Sequence, residues 1–200
     1  MENTRQQLLD LIEEISSYED IKLSDIPCVD LYMDQVTTFF DDKLGSLKRE
    51  EEDKILTKTM INNYAKAKLL MPVKSKKYSK DQMLLLALIY NLKQILSLND
   101  LNYILSPIIK NLSSENKDLT LEEIYNVFLD INKLQREEFN TWFKSKLDLV
   151  NKESINIKSE HKSEVELILT VLILISSANA QKIMAEKIID NFFKPKHNKK

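Results

Sequence analysis

The stretch TKTMINNYAKAKLLMPVKSKKYS, Thr57–Ser79, decides how the chain reads. On a wheel of ~100° per residue, Ile61, Tyr64, Ala65 and Lys68 share one side, and Thr59, Asn62, Asn63 and Lys66 the other. That spacing predicts a short helix over about Thr57–Lys68. Pro72 prevents its continuation, because proline lacks the N–H and its ring clashes with the preceding turn. Val73 to Tyr78 alternates enough for a small hairpin. Ser79 with Gln82 then forms a capping box. It opens a Leu- and Ile-rich helix to about Leu96.

Downstream, Ser97 caps a shorter helix, Leu98–Leu105, and Pro107 is expected to close it. Upstream, Leu8, Leu11, Ile12 and Ile15 mark an amphipathic helix over Thr4–Tyr18. A break follows at Ser24–Pro27. Asp30 is read as the N-cap of a helix Leu31–Leu44, with Tyr32, Val36, Phe39 and Phe40 on its apolar face and Gly45 as its stop. Residues 46–54 form a charged connection.

The second half begins with a linker-like segment, 106–119. Thr120 with Glu123 makes another capping box and opens a long helix to about Val150. Its apolar phase shifts near Arg136–Asn140, which allows a bend. Residues 151–162 read as a polar, mobile connection. The last helix, Ser163–Phe193, is apolar on every side over 167–175. Such a helix is expected at the centre of a bundle or against another subunit.

The fold expected is all-α: a winged helix-turn-helix with one small β-hairpin wing, followed by a helical C-terminal domain. The divisions expected are an N-terminal amphipathic helix, 1–22; the winged helix-turn-helix, 23–106; a helical packing and dimerisation domain, 107–193; and a basic disordered tail, 194–200. Composition agrees. The chain has 200 residues, 43% of them apolar, with one glycine and four prolines. Strand-rich folds need many tight turns and draw on both. The single cysteine, Cys28, forms no internal disulfide, which suits a reducing, cytoplasmic compartment. No signal peptide is visible. The charge-free run Leu167–Gln181 is shorter than the ~20 residues of a membrane span.

Charge points to the function. The formal net charge is −2, but residues 54–80 hold eight lysines and no acidic residue. A lysine-only window in an acidic chain is the footprint of a polyanion-binding surface. Lys58, Thr59, Asn62, Asn63 and Lys66 present short polar and basic groups suited to a DNA groove. Asn pairs two ways with an adenine edge, and Lys reaches guanine or phosphate. Lys74, Lys76 and Lys77 sit where a wing tip would hold the sugar–phosphate backbone. The expectation is a transcriptional regulator that binds double-stranded DNA as a homodimer through helix 165–193.

The stretches MINNYAKAKLLMP, Met60–Pro72, and KKYSKDQMLLLALIYNLKQILSLNDLNYIL, Lys76–Leu105, resemble the recognition helix, the wing and the following helices of MerR-type regulators. Asn62 and Asn63 stand where that family usually has arginine and tyrosine, Lys68 replaces a usual glycine, and the link between the first two helices is longer. The chain as a whole resembles more closely an uncharacterised bacterial family, domain of unknown function 1836. The stretches DLYMDQVTTFFDDKL and Ile55–Leu101 carry that likeness. It implies a MerR-like helical protein and no known ligand or target.

Tyr64 and Tyr78 read as packing residues, and Trp142 as a core or interface aromatic. His161 and His197 have no partner at metal-ligand spacing, and Cys28 has no base beside it. No enzyme, metal or cofactor is expected. The alternative reading is a protein–protein interaction module on the same scaffold, with no DNA binding.

Overall fold

The computed structural model describes residues 2–112, 120–157 and 160–195. Its elements are α1 (Glu2–Ser17), β1 (Leu31–Tyr32), α2 (Met33–Leu44), α3 (Lys58–Lys66), β2 (Lys77–Tyr78), α4 (Lys80–Lys93), α5 (Leu98–Leu112), α6 (Leu121–Glu153) and α7 (Lys162–Ile188). The chain is mostly helical, with one two-stranded antiparallel sheet. Two compact units divide it: Ile21–Phe128 with Glu186–Lys200, and Met1–Asp20 with Leu129–Ala185.

The first unit is built around α4. Every residue from Gln82 to Ile89 is buried, so this helix meets neighbours on all sides. Its start is fixed as expected: Ser79 accepts from the Gln82 backbone N–H, while the Ser79 N–H donates to Gln82 Oε1. Val36, Phe40, Ile61, Leu69, Leu101 and Tyr125 complete the core. The buried Tyr125 hydroxyl donates to the Ile21 carbonyl at 2.7 Å.

Three boundaries differ from the sequence reading. Asp30 caps nothing, because Leu31 and Tyr32 are extended and pair with Tyr78 and Lys77. Helix α2 starts later, at Met33, with the Tyr32 N–H donating to Gln35 Oε1. Gly45 ends α2 without left-handed backbone. Its φ is −58°, and the chain tightens over Gly45–Leu47 before turning extended at Lys48. Pro107 lies inside α5 rather than beyond it. It is exposed, and the helix continues past it through the half-buried Ile108 and Ile109. Residues 113–119 of the expected linker lie outside the described residues.

The second unit packs α1, the greater part of α6 and α7 up to Ala185. Ile12, Phe143 and Leu147 form its buried cluster, joined by Leu8, Leu9, Trp142 and Leu174. Trp142 stacks on Phe139 with 5.5 Å between ring centroids. Arg5 pairs with Asp148 at 2.6 Å, and Arg136 with Asp20 at 2.7 Å. Helix α6 runs without interruption through Arg136–Asn140. Ser154, in the segment expected to be mobile, is 1% exposed and donates to Glu166 at 2.7 Å. Helix α7 is not the centre of a bundle. One face carries Thr170 and Leu174 inward, while Ile168, Val171, Leu172 and Ile175 are each more than half exposed. Of the expected basic tail, Lys194 is ordered by Asp190 at 2.6 Å and lies 5.9 Å from the Tyr103 ring centre. Residues 196–200, with His197, lie outside the described residues.

Candidate nucleic-acid interface

Helix α3 is set by local rules at both ends. Thr57 is its N-cap, and its hydroxyl accepts from the Met60 N–H at 3.1 Å. At the other end Lys68 has φ +60°. The Leu69 N–H donates to the Tyr64 carbonyl, and the Lys68 N–H to that of Ala65. These two bonds are the Schellman closure, with lysine in the left-handed position that glycine usually takes.

Burial orients the helix. Ile61 and Tyr64 are 0% and 2% exposed. Thr59, Asn62, Asn63 and Lys66 are all exposed on the outer side. Ala65 and Lys68, expected on the inner side, are exposed as well. Two neutral side chains hold the segment after α3. Asn102 on α5 donates to the Ala67 carbonyl, and the buried Gln82 on α4 donates to that of Met71, both at 2.8 Å.

A two-residue turn follows. The Lys77 N–H donates to the Lys74 carbonyl at 2.9 Å, and Ser75 and Lys76 between them have φ of +51° and +60°. Two left-handed central residues are the type I′ pattern, whose twist suits a β-hairpin. The expected hairpin is therefore present as one tight turn. Its outgoing strand pairs with the distant Leu31–Tyr32, which the sequence reading placed in a helix.

The turn carries its lysines unequally. Lys74 and Lys76 are exposed. Lys77 is half-buried, with its ammonium 5.0 Å from the Tyr32 ring centre. Lys58 makes an ion pair with Asp34. Tyr32 and Asp34 both belong to the start of α2, so the N-terminus of α3 and the outgoing strand are tethered to the same turn of helix. Sequence reasoning missed both tethers. They join residues far apart in the chain, and no local pattern signals them.

Burial pushes the Tyr64 phenol up to about 12 and raises that of Tyr78, so both hydroxyls stay protonated donors near neutral pH. Cys28 is an exposed thiol. His161 lies 3.4 Å from Glu164. Among the described residues no group of three or more His, Cys, Asp or Glu is placed to hold a metal ion.

A family model described as domain of unknown function (DUF1836) matches residues 21–128. That match covers the same residues as the continuous part of the first unit. No curated protein and no solved structure matches the chain.

Proposed function

This chain belongs to the DUF1836 family, and we propose that it is a transcriptional regulator that binds double-stranded DNA through a MerR-like winged helix-turn-helix. Helices α2 and α3 are the helix pair, α3 enters the major groove, and the Lys74–Lys77 turn is the wing. The observation that carries the reading is the pairing of one exposed polar face, Thr59, Asn62, Asn63 and Lys66, with a lysine-tipped turn on the same short segment. Asn62 and Asn63 supply base-edge hydrogen bonds, and Lys66, Lys74 and Lys76 supply phosphate contacts. The connection from Gly45 to Thr57 is longer than the three or four residues of a minimal helix-turn-helix.

The test is binding of the full chain to genomic duplex fragments across a salt series. Affinity should fall steeply as salt rises, because each neutralised phosphate releases counterions. Absence of binding at low salt overturns the reading. So does recovery of a stoichiometric protein partner that survives nuclease treatment, which would favour an interaction module.

We further assign the exposed face of α7 to a second copy of the chain. At ~100° per residue, Ile168, Val171, Leu172 and Ile175 fall on one side of the helix, away from the buried Thr170 and the partly buried Leu174. Leu167 and Ile183 extend the exposed apolar surface at its edges. Half-exposed side chains of this size present on the order of 100 Å² each, so these six supply roughly three quarters of the ~800 Å² per partner of a standard interface. Lys162–Phe193 is also long and apolar enough for a membrane span by length and composition. Its charge-free part, Leu167–Gln181, falls short of ~20 residues. Light scattering of the wild type and of Ile168→Lys with Leu172→Lys decides: a dimer that the double variant splits supports the assignment. A monomeric wild type that floats with lipid vesicles overturns it.

A further inference from the structure

Behind α3, on the side away from its exposed polar face, lies a cavity of about 300 Å³. Met60 and Tyr64 of α3 form one wall, Tyr90 and Lys93 of α4 another, and the charged connection around Arg49 and Lys54 a third. The volume suits a small metabolite.

Three features give the cavity its chemistry. Arg49, Lys54 and Lys93 make no ion pair with a carboxylate among the described residues, so three cations line the cavity against one carboxylate. The carboxylate among its lining residues, Asp53, accepts from the Arg49 and Glu50 backbone N–H groups at 3.2 and 3.1 Å. Tyr64 is 2% exposed, and its hydroxyl has no hydrogen-bond partner among the described residues. Buried hydroxyls are normally paired, and an unpaired one is a donor in want of an acceptor. The Lys93 ammonium stands 5.6 Å from the Tyr64 ring centre.

We propose that this cavity binds a small organic phosphate, held by Arg49, Lys54 and Lys93 with a hydrogen bond from Tyr64, and that its occupation tunes DNA binding by α3. An arginine and two lysines lining one space fit a compact multiply charged anion, since arginine forks onto phosphate oxygens and lysine adds point charge. The unpartnered Tyr64 hydroxyl adds a neutral donor for an acceptor oxygen. The cavity meets the inner side of α3, so a duplex on the outer side does not fill it, and the phosphate is that of a free molecule. Coupling follows from Tyr64, which is at once a core residue of the reading helix and a wall of the cavity. The binding part of this proposal stands without DNA. The coupling part rests on the function proposed above.

The test titrates the full chain, without DNA, with inorganic phosphate and with phenyl phosphate at constant ionic strength. Binding is read by thermal shift and by NMR of the arginine and tyrosine side chains. Saturable binding is expected, with phenyl phosphate tighter than phosphate. Arg49→Gln with Lys93→Gln should weaken it by about tenfold or more, the effect of losing a charge-assisted bond. Tyr64→Phe should weaken it several-fold while leaving the fold intact, and Lys66→Gln, on the outer side, should leave it unchanged. Saturable binding lost in the double variant supports the site whether or not the chain binds DNA. No binding, or a shift that chloride reproduces or the double variant retains, overturns it. For the coupling, DNA affinity should change when phenyl phosphate saturates the site. An affinity that stays constant overturns the coupling alone.

Discussion

The Lys77 ammonium lies 5.0 Å from the centre of the Tyr32 ring, so the strand that leaves the turn is held to the start of α2 by a cation on an aromatic face. The lysines of the turn therefore divide into one that anchors and two that are exposed. Lys74→Glu with Lys76→Glu should abolish tight DNA binding at moderate salt. Lys77→Ala should weaken it less, and should also lower stability by about 0.5–1 kcal/mol. In a salt titration, neutralising Lys74 or Lys76 should each lower the slope of log affinity against log salt by about one. Equal slopes for wild type and variants would contradict the assignment of these side chains to phosphates.

Lys58 pairs with Asp34, and both side chains are more than half exposed. The pair holds a cation that could otherwise serve a phosphate. Asp34→Asn should release it and tighten DNA binding two- to fivefold at low salt. Stability should move by about 0.5 kcal/mol or less, as for other exposed pairs. Anisotropy titrations beside urea unfolding separate the two effects.

Lys68 occupies left-handed backbone at the end of α3, where an L side chain is strained. Lys68→Gly should therefore raise the unfolding free energy by about 1 kcal/mol, less the extra chain entropy of glycine in the unfolded state. The midpoint of urea unfolding should rise at unchanged slope. A drop would mean that the lysine stem packs in a way that outweighs the strain.

Tyr64 adds a pH dependence. Its folded-state value is near 12, against 10.0 for the free side chain. The folded state keeps the proton where the unfolded state has lost it. Stability linked to Tyr64 is thus complete below pH 10 and declines as pH rises from there towards 12, at up to ~1.4 kcal/mol per pH unit. Tyr64→Phe should remove that decline and equal or exceed wild type in stability at pH 8, since it deletes an unpaired hydroxyl. Urea unfolding at pH 8, 10 and 11 tests both parts. Parallel curves for the two proteins would show that the hydroxyl ionises alike in both states.

What the sequence revealed were features with local causes. The Thr57 cap, the capping boxes at Ser79 and Thr120, and the polar face of Asn62 and Lys66 all follow from residues within a few positions of one another. The misreadings share the opposite property. Leu31 and Tyr32 look helical until Lys77 and Tyr78, far along the chain, offer them a strand partner. Pro107 looks terminal, yet the helix runs on past it through the half-buried Ile108 and Ile109. Helices α4 and α7 are both rich in apolar residues, yet only α4 is enclosed by its own chain. Composition records that a surface avoids water and not what covers it. The cavity behind α3 was invisible for the same reason, since its cations come from separate elements and meet only in three dimensions.

Asn102 and Gln82 grip the Ala67 and Met71 carbonyls with uncharged amides. Dissolved ions weaken attractions between charges and leave such clasps almost untouched. The mount of α3 should therefore keep its shape at electrolyte concentrations that strip away any bound polyanion. Dissociation at high salt then reports lost counterion release rather than a deformed protein, and diluting the salt should restore binding at once, with no refolding delay.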